Sequence, residues 1–162
     1  MVTAVRELRE RDQNVIFLNG GDFYQGNIWY THFKWRVVAH FANILNFTAM
    51  SPGNHEFDDH VSGFVPFLRN ATFPIVAANI DASMEPTLAG EIPKSVVVEI
   101  GGRKIGIIGY VTSDTPVNSG VVSIGEVLQA IKRLSLFNRR FPTRIRSNFC
   151  QRWSRSTPRQ RD

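Results

Sequence analysis

A chain of 162 residues that is 43% hydrophobic can form one domain with a real core, and it is too apolar to be disordered along most of its length. No apolar run approaches the ~20 residues a membrane span needs, and the charged start "MVTAVRELRERDQ" lacks an apolar leader core. The net charge of +5 is unevenly placed: Lys132 to Asp162 holds ten Lys/Arg and one acid, so this tail carries +9 and the body −4. The single cysteine, Cys150, excludes an intrachain disulfide and a cysteine-built zinc site.

Residues 2–12 read as a helix with Val5 and Leu8 on one face. "NVIFLNGGD" reads as a buried strand that feeds a tight Gly-Gly loop. From Trp29 to Leu45, the apolar residues Tyr30, Phe33, Val37, Phe41 and Ile44 recur at helical spacing. "FTAM" is a short strand before the Pro52-Gly53 loop, and Val61 to Leu68 is a helix. "PIVAANI" is a second buried strand, and "SVVVEIGGRKIGIIGY" is a hairpin turning at Gly101-Gly102. Ser123 and Glu126 have capping-box spacing before "VLQAIKRL", a final helix. Helices alternating with buried strands predict an α/β layered domain with a partly parallel sheet. Two sequons, at Asn46 and Asn70, hint at a secreted setting, although such short patterns also arise by chance.

Ligands of such sheets sit beyond the carboxyl ends of the strands. Two polar loops, Gly20–Gly26 and Gly53–Asp59, directly follow strands. If those strands are parallel neighbours, both loops open on one rim. Asp22 offers a hard oxygen donor where glycines let backbone approach a ligand, or else an ordinary helix cap or Asx turn. Asn54 offers an amide oxygen, and His55 an imidazole that binds metal or moves protons near neutral pH. Asp58, three residues on, can fix the tautomer of His55 and support its imidazolium. A polar surface loop with a caged histidine is the plain alternative.

"GDFYQG" and "GNHEFDD" resemble two signature blocks of the 5′-nucleotidase family of metallophosphoesterases, nearest its animal ecto-5′-nucleotidase and insect apyrase branch. "VVAHFANIL", "FPIVAANI" and "GYVTSDTP" extend the similarity over residues 1–133. The resemblance implies a calcineurin-like layered fold, here incomplete at its first strand and its C-terminal half. It implies two divalent ions, zinc or similar, with Asp22 and Asn54 as metal ligands and His55 and Asp58 as the catalytic dyad. It implies hydrolysis of AMP, ADP or ATP-class substrates by metal-activated water, at the cell surface or outside the cell. Membrane attachment would come only through an absent anchor, a dimer is compatible, and nucleic acid is not the expected partner. Glu56 gets no ligand role and is read as a loop anchor.

The resemblance also implies an Asp-x-His motif and later histidines, yet no histidine follows His60. Two oxygen ligands are few for a transition metal, which takes three or four protein donors. The expectation is therefore a fragment inactive alone. Residues 134–162 lose both periodicity and resemblance. They read as a basic, disordered or non-homologous tail, from a shifted frame or misjoined exon rather than a nucleic-acid arm. A nucleotide-sugar or cyclic-nucleotide hydrolase and a non-catalytic nucleotide or nucleic-acid binder are the rival readings. His40 is expected in or at the edge of the core, His32 and His60 in solvent, and Asn79 as a loop brace. Phe23, Tyr24 and Trp29 are expected to pack rather than to stack on a base.

Overall fold

The computed structural model describes residues 1–113, 115 and 122–125. Helix α1 spans Val2–Arg11 and packs on α3 (Trp35–Leu45). Val5 is buried, but Leu8, expected beside it, is exposed. The contact is instead extended by Arg9, whose guanidinium donates to the carbonyls of Leu45 (3.2 Å) and Asn46 (2.5 Å). Those carbonyls end α3, where helical oxygens lack partners and a cation is favoured.

Strand β1 (Leu18–Asn19) pairs in parallel with β2 (Ala49–Met50), Leu18 opposite Ala49 and Asn19 opposite Met50. A parallel bridge joins Met50 to Ile75, with Met50 N donating to Pro74 O and Val76 N to Met50 O, both at 2.9 Å. Beyond it, Ala78 N donates to Gly109 O at 2.8 Å. The partly parallel sheet is therefore present, although its regular ladders are short. β1 is less buried than expected, with Ile16 and Leu18 exposed. Among the described residues its one strand neighbour is β2, so its other edge is unpaired. "PIVAANI" is buried as expected but holds only the Ile75 bridge and β3 (Ile80–Asp81). β3 pairs antiparallel with β6 (Ser123–Ile124), so Ser123 lies in a strand, while Glu126 and the helix expected after it are outside the described residues. The hairpin is as expected: β4 (Ser95–Ile100) and β5 (Arg103–Ile108) join through Gly101 and Gly102, both at the positive φ a two-residue turn demands.

The single helix expected from Trp29 to Leu45 is two helices, α2 (Ile28–Phe33) and α3 (Trp35–Leu45). Asn27 caps α2, its side chain accepting from Tyr30 N at 3.0 Å. Lys34, at φ 54°, breaks the chain between them. Its Nζ bonds Asp59 Oδ1 at 2.9 Å and lies over the Tyr30 ring. The break also changes which face is buried. Val38, Ala39, Ala42 and Leu45 go inward, whereas Phe33, Phe41 and Ile44 stay exposed. The small Ala39 and Ala42 let α3 approach α4 (His60–Asn70) closely, which the bulkier stripe would prevent. From α4, Phe64 and Phe67 fill the core against Phe57 and Tyr24.

Candidate active site

The two polar loops meet on one rim. Gly21 (φ 89°) and Gly53 lie back to back: a Cβ added to Gly21 would fall 2.0 Å from Gly53 N, and one on Gly53 would fall 2.1 Å from Asp22 Oδ1. Only glycine permits this approach, because any side chain would occupy the neighbour's backbone. Asp22 itself adopts φ 61°, a conformation aspartate tolerates better than most residues.

Glu56 joins the loops. Its side chain is fully buried, and its carboxylate accepts from four backbone N–H groups: Phe23 (2.6 Å) and Tyr24 (3.3 Å) on Oε1, Asp22 (2.8 Å) and Gly53 (2.5 Å) on Oε2. Burial raises its carboxyl pKa by more than the backbone donors lower it. Every contact is a donor to oxygen, so the arrangement is built for the ionised form.

Residues His55–Phe57 form a 3₁₀ turn, in which side chains three apart line up. His55 and Asp58 are three apart, and His55 Nδ1 lies 2.7 Å from Asp58 Oδ2. This hydrogen bond raises the His55 pKa above its ordinary 6.5, despite partial burial that lowers it. Gln25, to which the sequence reading assigned no role, donates its side-chain amide to the same Asp58 oxygen. Its signal was only its place beside Gly26 in the Asp22 loop. Asp59 points elsewhere, accepting from Tyr30 Oη (2.6 Å) and Lys34 Nζ (2.9 Å). Burial pushes its pKa up, but these two donors outweigh that and hold it low. A cavity of about 210 Å³ opens beside the dyad, lined by Gln25, Tyr30, Lys34, Asp58 and Asp59 among others.

The structure thus brings Asp22 beside His55: the His55 backbone N–H donates to Asp22 Oδ1 at 3.2 Å. The two expected metal ligands do not complete a centre. Among the described residues no group of three or more His, Cys, Asp or Glu side chains is placed to hold a metal ion. Asp22 and the half-buried Asn54 supply two oxygen donors, fewer than the three or four protein donors of a transition-metal site.

The lesser assignments divide. Asn79 is buried and braces loops, its amide donating to Val111 O (2.7 Å) and Gly125 O (3.0 Å) and accepting from Val111 N (3.0 Å). His32 and His60 are exposed. His40 is also exposed, contrary to expectation, because α3 buries the opposite face; its ring meets Phe41 edge-on. Tyr24 is buried and Phe23 packs on Phe47, but Trp29 is exposed and stacks on Phe33.

Known proteins resemble this chain in sequence and in fold. The chain is 56% identical over 115 residues to an apyrase of Tabanus yao, and 46% identical over 119 residues to a 5′-nucleotidase of Mus musculus. These matches cover 71% and 72% of the chain, which spans about a fifth (21%) of either relative. Its fold superposes on a 5′-nucleotidase precursor from Thermus thermophilus with a TM-score of 0.81 and 32% identity, covering 86% of this chain and 28% of that one. An NAD nucleotidase from Haemophilus influenzae gives 0.79 and 25%, with the same coverage. The calcineurin-like phosphoesterase pattern runs through residues 1–138, and with it the chain belongs to the calcineurin-like phosphoesterase family.

Proposed function

We propose that this chain is part of a hydrolase that removes phosphate from nucleoside 5′-phosphates of the AMP, ADP or ATP class, at the cell surface or outside the cell. The observation that supports it best is the His55–Asp58 pair at 2.7 Å, held on a loop that Glu56 clamps to the Asp22 loop. The relatives named apyrase and 5′-nucleotidase supply the substrate class.

In this reading, the imidazolium of His55 donates a proton to the leaving oxygen as its bond to phosphorus breaks, and the oxygen of water forms the new bond; the leaving oxygen is the 5′ oxygen of AMP or the bridging phosphate oxygen of ADP or ATP. Such proton donation contributes about 10²–10⁴-fold. Asp58 orients the ring through Nδ1 and stabilises its charge, while Gln25 holds Asp58. Asp22 and Asn54 belong to the donor set of the divalent ions the family resemblance implies. With two donors the set is incomplete among the described residues, so no step is assigned to a metal.

The test is a pair of proteins. One is the 162-residue chain. The other is a chimera in which this chain supplies the 119 residues it matches in the Mus musculus 5′-nucleotidase. Metal-dependent phosphate release from AMP is expected from the chimera and not from the chain alone. A chimera that folds and binds AMP without hydrolysing it would contradict the proposal.

A further inference from the structure

The Asn46-Phe47-Thr48 sequon has no part in the hydrolytic site. We propose that Asn46 is a site of N-linked glycosylation, an inference that rests on the extracellular or cell-surface location above. The backbone of Asn46 is fully used. It ends α3 in the left-handed conformation (φ 51°, ψ 66°), its N–H closes on Ala42 O at 2.9 Å, and its carbonyl accepts from Arg9. The side chain is different: it is exposed and makes no hydrogen bond to any described residue. A left-handed helix stop is a task that glycine performs with less strain. Asparagine is the usual alternative to glycine there, so the stop explains the conformation, and the exposed side-chain amide stays available for modification.

The surroundings hold that amide outward. Phe47 is buried against Phe17, Phe23 and Phe73, so the residue before it is pinned at the surface. The Thr48 hydroxyl accepts from Phe17 N at 3.0 Å, a task serine would also meet. A glycan must also fit the folded chain, and the second sequon suits one less. Asn70 Nδ2 already donates to Pro66 O at 2.8 Å, and Thr72 is tied through its N–H and hydroxyl to Asn43 Oδ1. The position also suits a bulky group. Asn46 precedes β2 whereas the site loop follows it, so a glycan would stand at the far end of the strand from His55. There it would also shade the exposed Phe41 and Ile44 of α3.

In the modification, Nδ2 of Asn46 attacks C1 of the first sugar of a lipid-pyrophosphate-linked oligosaccharide. The N–C bond forms, the C1–O bond to pyrophosphate breaks, the amide loses one proton, and the lipid pyrophosphate leaves with the bonding electrons.

The experiment translates the full chain behind a cleavable leader with microsomes and treats the product with an amide-cleaving N-glycosidase. The leader imposes entry and protease protection verifies it, so the result reads the sequon and not the native location. Attachment precedes folding, so an unstable variant still gives an answer. The expected result is a glycosidase-sensitive mass shift that Asn46→Gly and Thr48→Ala reduce by one glycan, and that Thr48→Ser retains. A protected chain with no such shift, or a shift unchanged by Asn46→Gly, overturns the assignment.

Discussion

Both oxygens of Glu56 are occupied, and each accepts from backbone on a loop that carries a candidate site residue. Replacing it with glutamine keeps the size and turns one acceptor into an NH₂ that faces N–H donors. Leaving buried partners of a charged group unpaired costs about 1–3 kcal/mol or more. Glu56→Gln should therefore lower the unfolding free energy of the chain by roughly 2–4 kcal/mol, measured by urea denaturation. An unchanged midpoint would remove Glu56 from its role as a clamp. His55 makes a separate prediction. Its folded pKa is raised by Asp58, so the imidazolium persists above 6.5. This pair therefore stabilises the fold fully below the unfolded pKa and loses that contribution as pH rises through the folded one. In an NMR titration of the imidazole, Asp58→Asn should pull the His55 midpoint down, and a midpoint that stays put would contradict the pairing. The role of Glu56 was readable because the residue sits inside a loop whose other polar members already had work. The bond from Gln25 was not, since nothing local links a residue before Gly26 to one 33 positions later.

At the scale of elements, the close pair Gly21 and Gly53 decides whether the loops after β1 and β2 form one site. A methyl on Gly53 would lie 2.1 Å from Asp22 Oδ1 and 2.7 Å from Asp22 N. Gly53→Ala must push the loops apart. It should cost about 1–3 kcal/mol, the usual range for overpacking, seen in a thermal melt, and more if backbone has to move. A variant that melts with the parent would mean the loops are not in contact. That both loops share a rim followed from strand–loop alternation, and the parallel β1–β2 pair supports that reasoning. Other elements were less legible. The α2–α3 break carries no glycine or proline; it rests on tertiary bonds from Lys34 to Asp59 and Tyr30. The buried face of α3 was misread because both faces are apolar, and the choice went to small residues that let α4 approach. Short apolar runs such as "PIVAANI" showed that they are buried but not how long their ladders run, because pairing depends on segments far along the chain.

For the whole molecule, the family and layered fold were legible from five blocks in order, and they agree with a TM-score of 0.81 to a 5′-nucleotidase precursor. The chain spans about a fifth of its curated relatives, so the activity of a whole protein rests on more than these residues. What the described residues hold is a pair of welded loops with a histidine–aspartate pair on their rim, and two oxygen donors beside it. The basic segment 134–162 lies outside the described residues. In the proposed reaction His55 is the proton donor of this site. The most direct measurement is kcat for AMP in the 5′-nucleotidase chimera, with and without His55→Ala. A fall of about 10²–10⁴-fold is expected, and an unchanged kcat would remove His55 from that role.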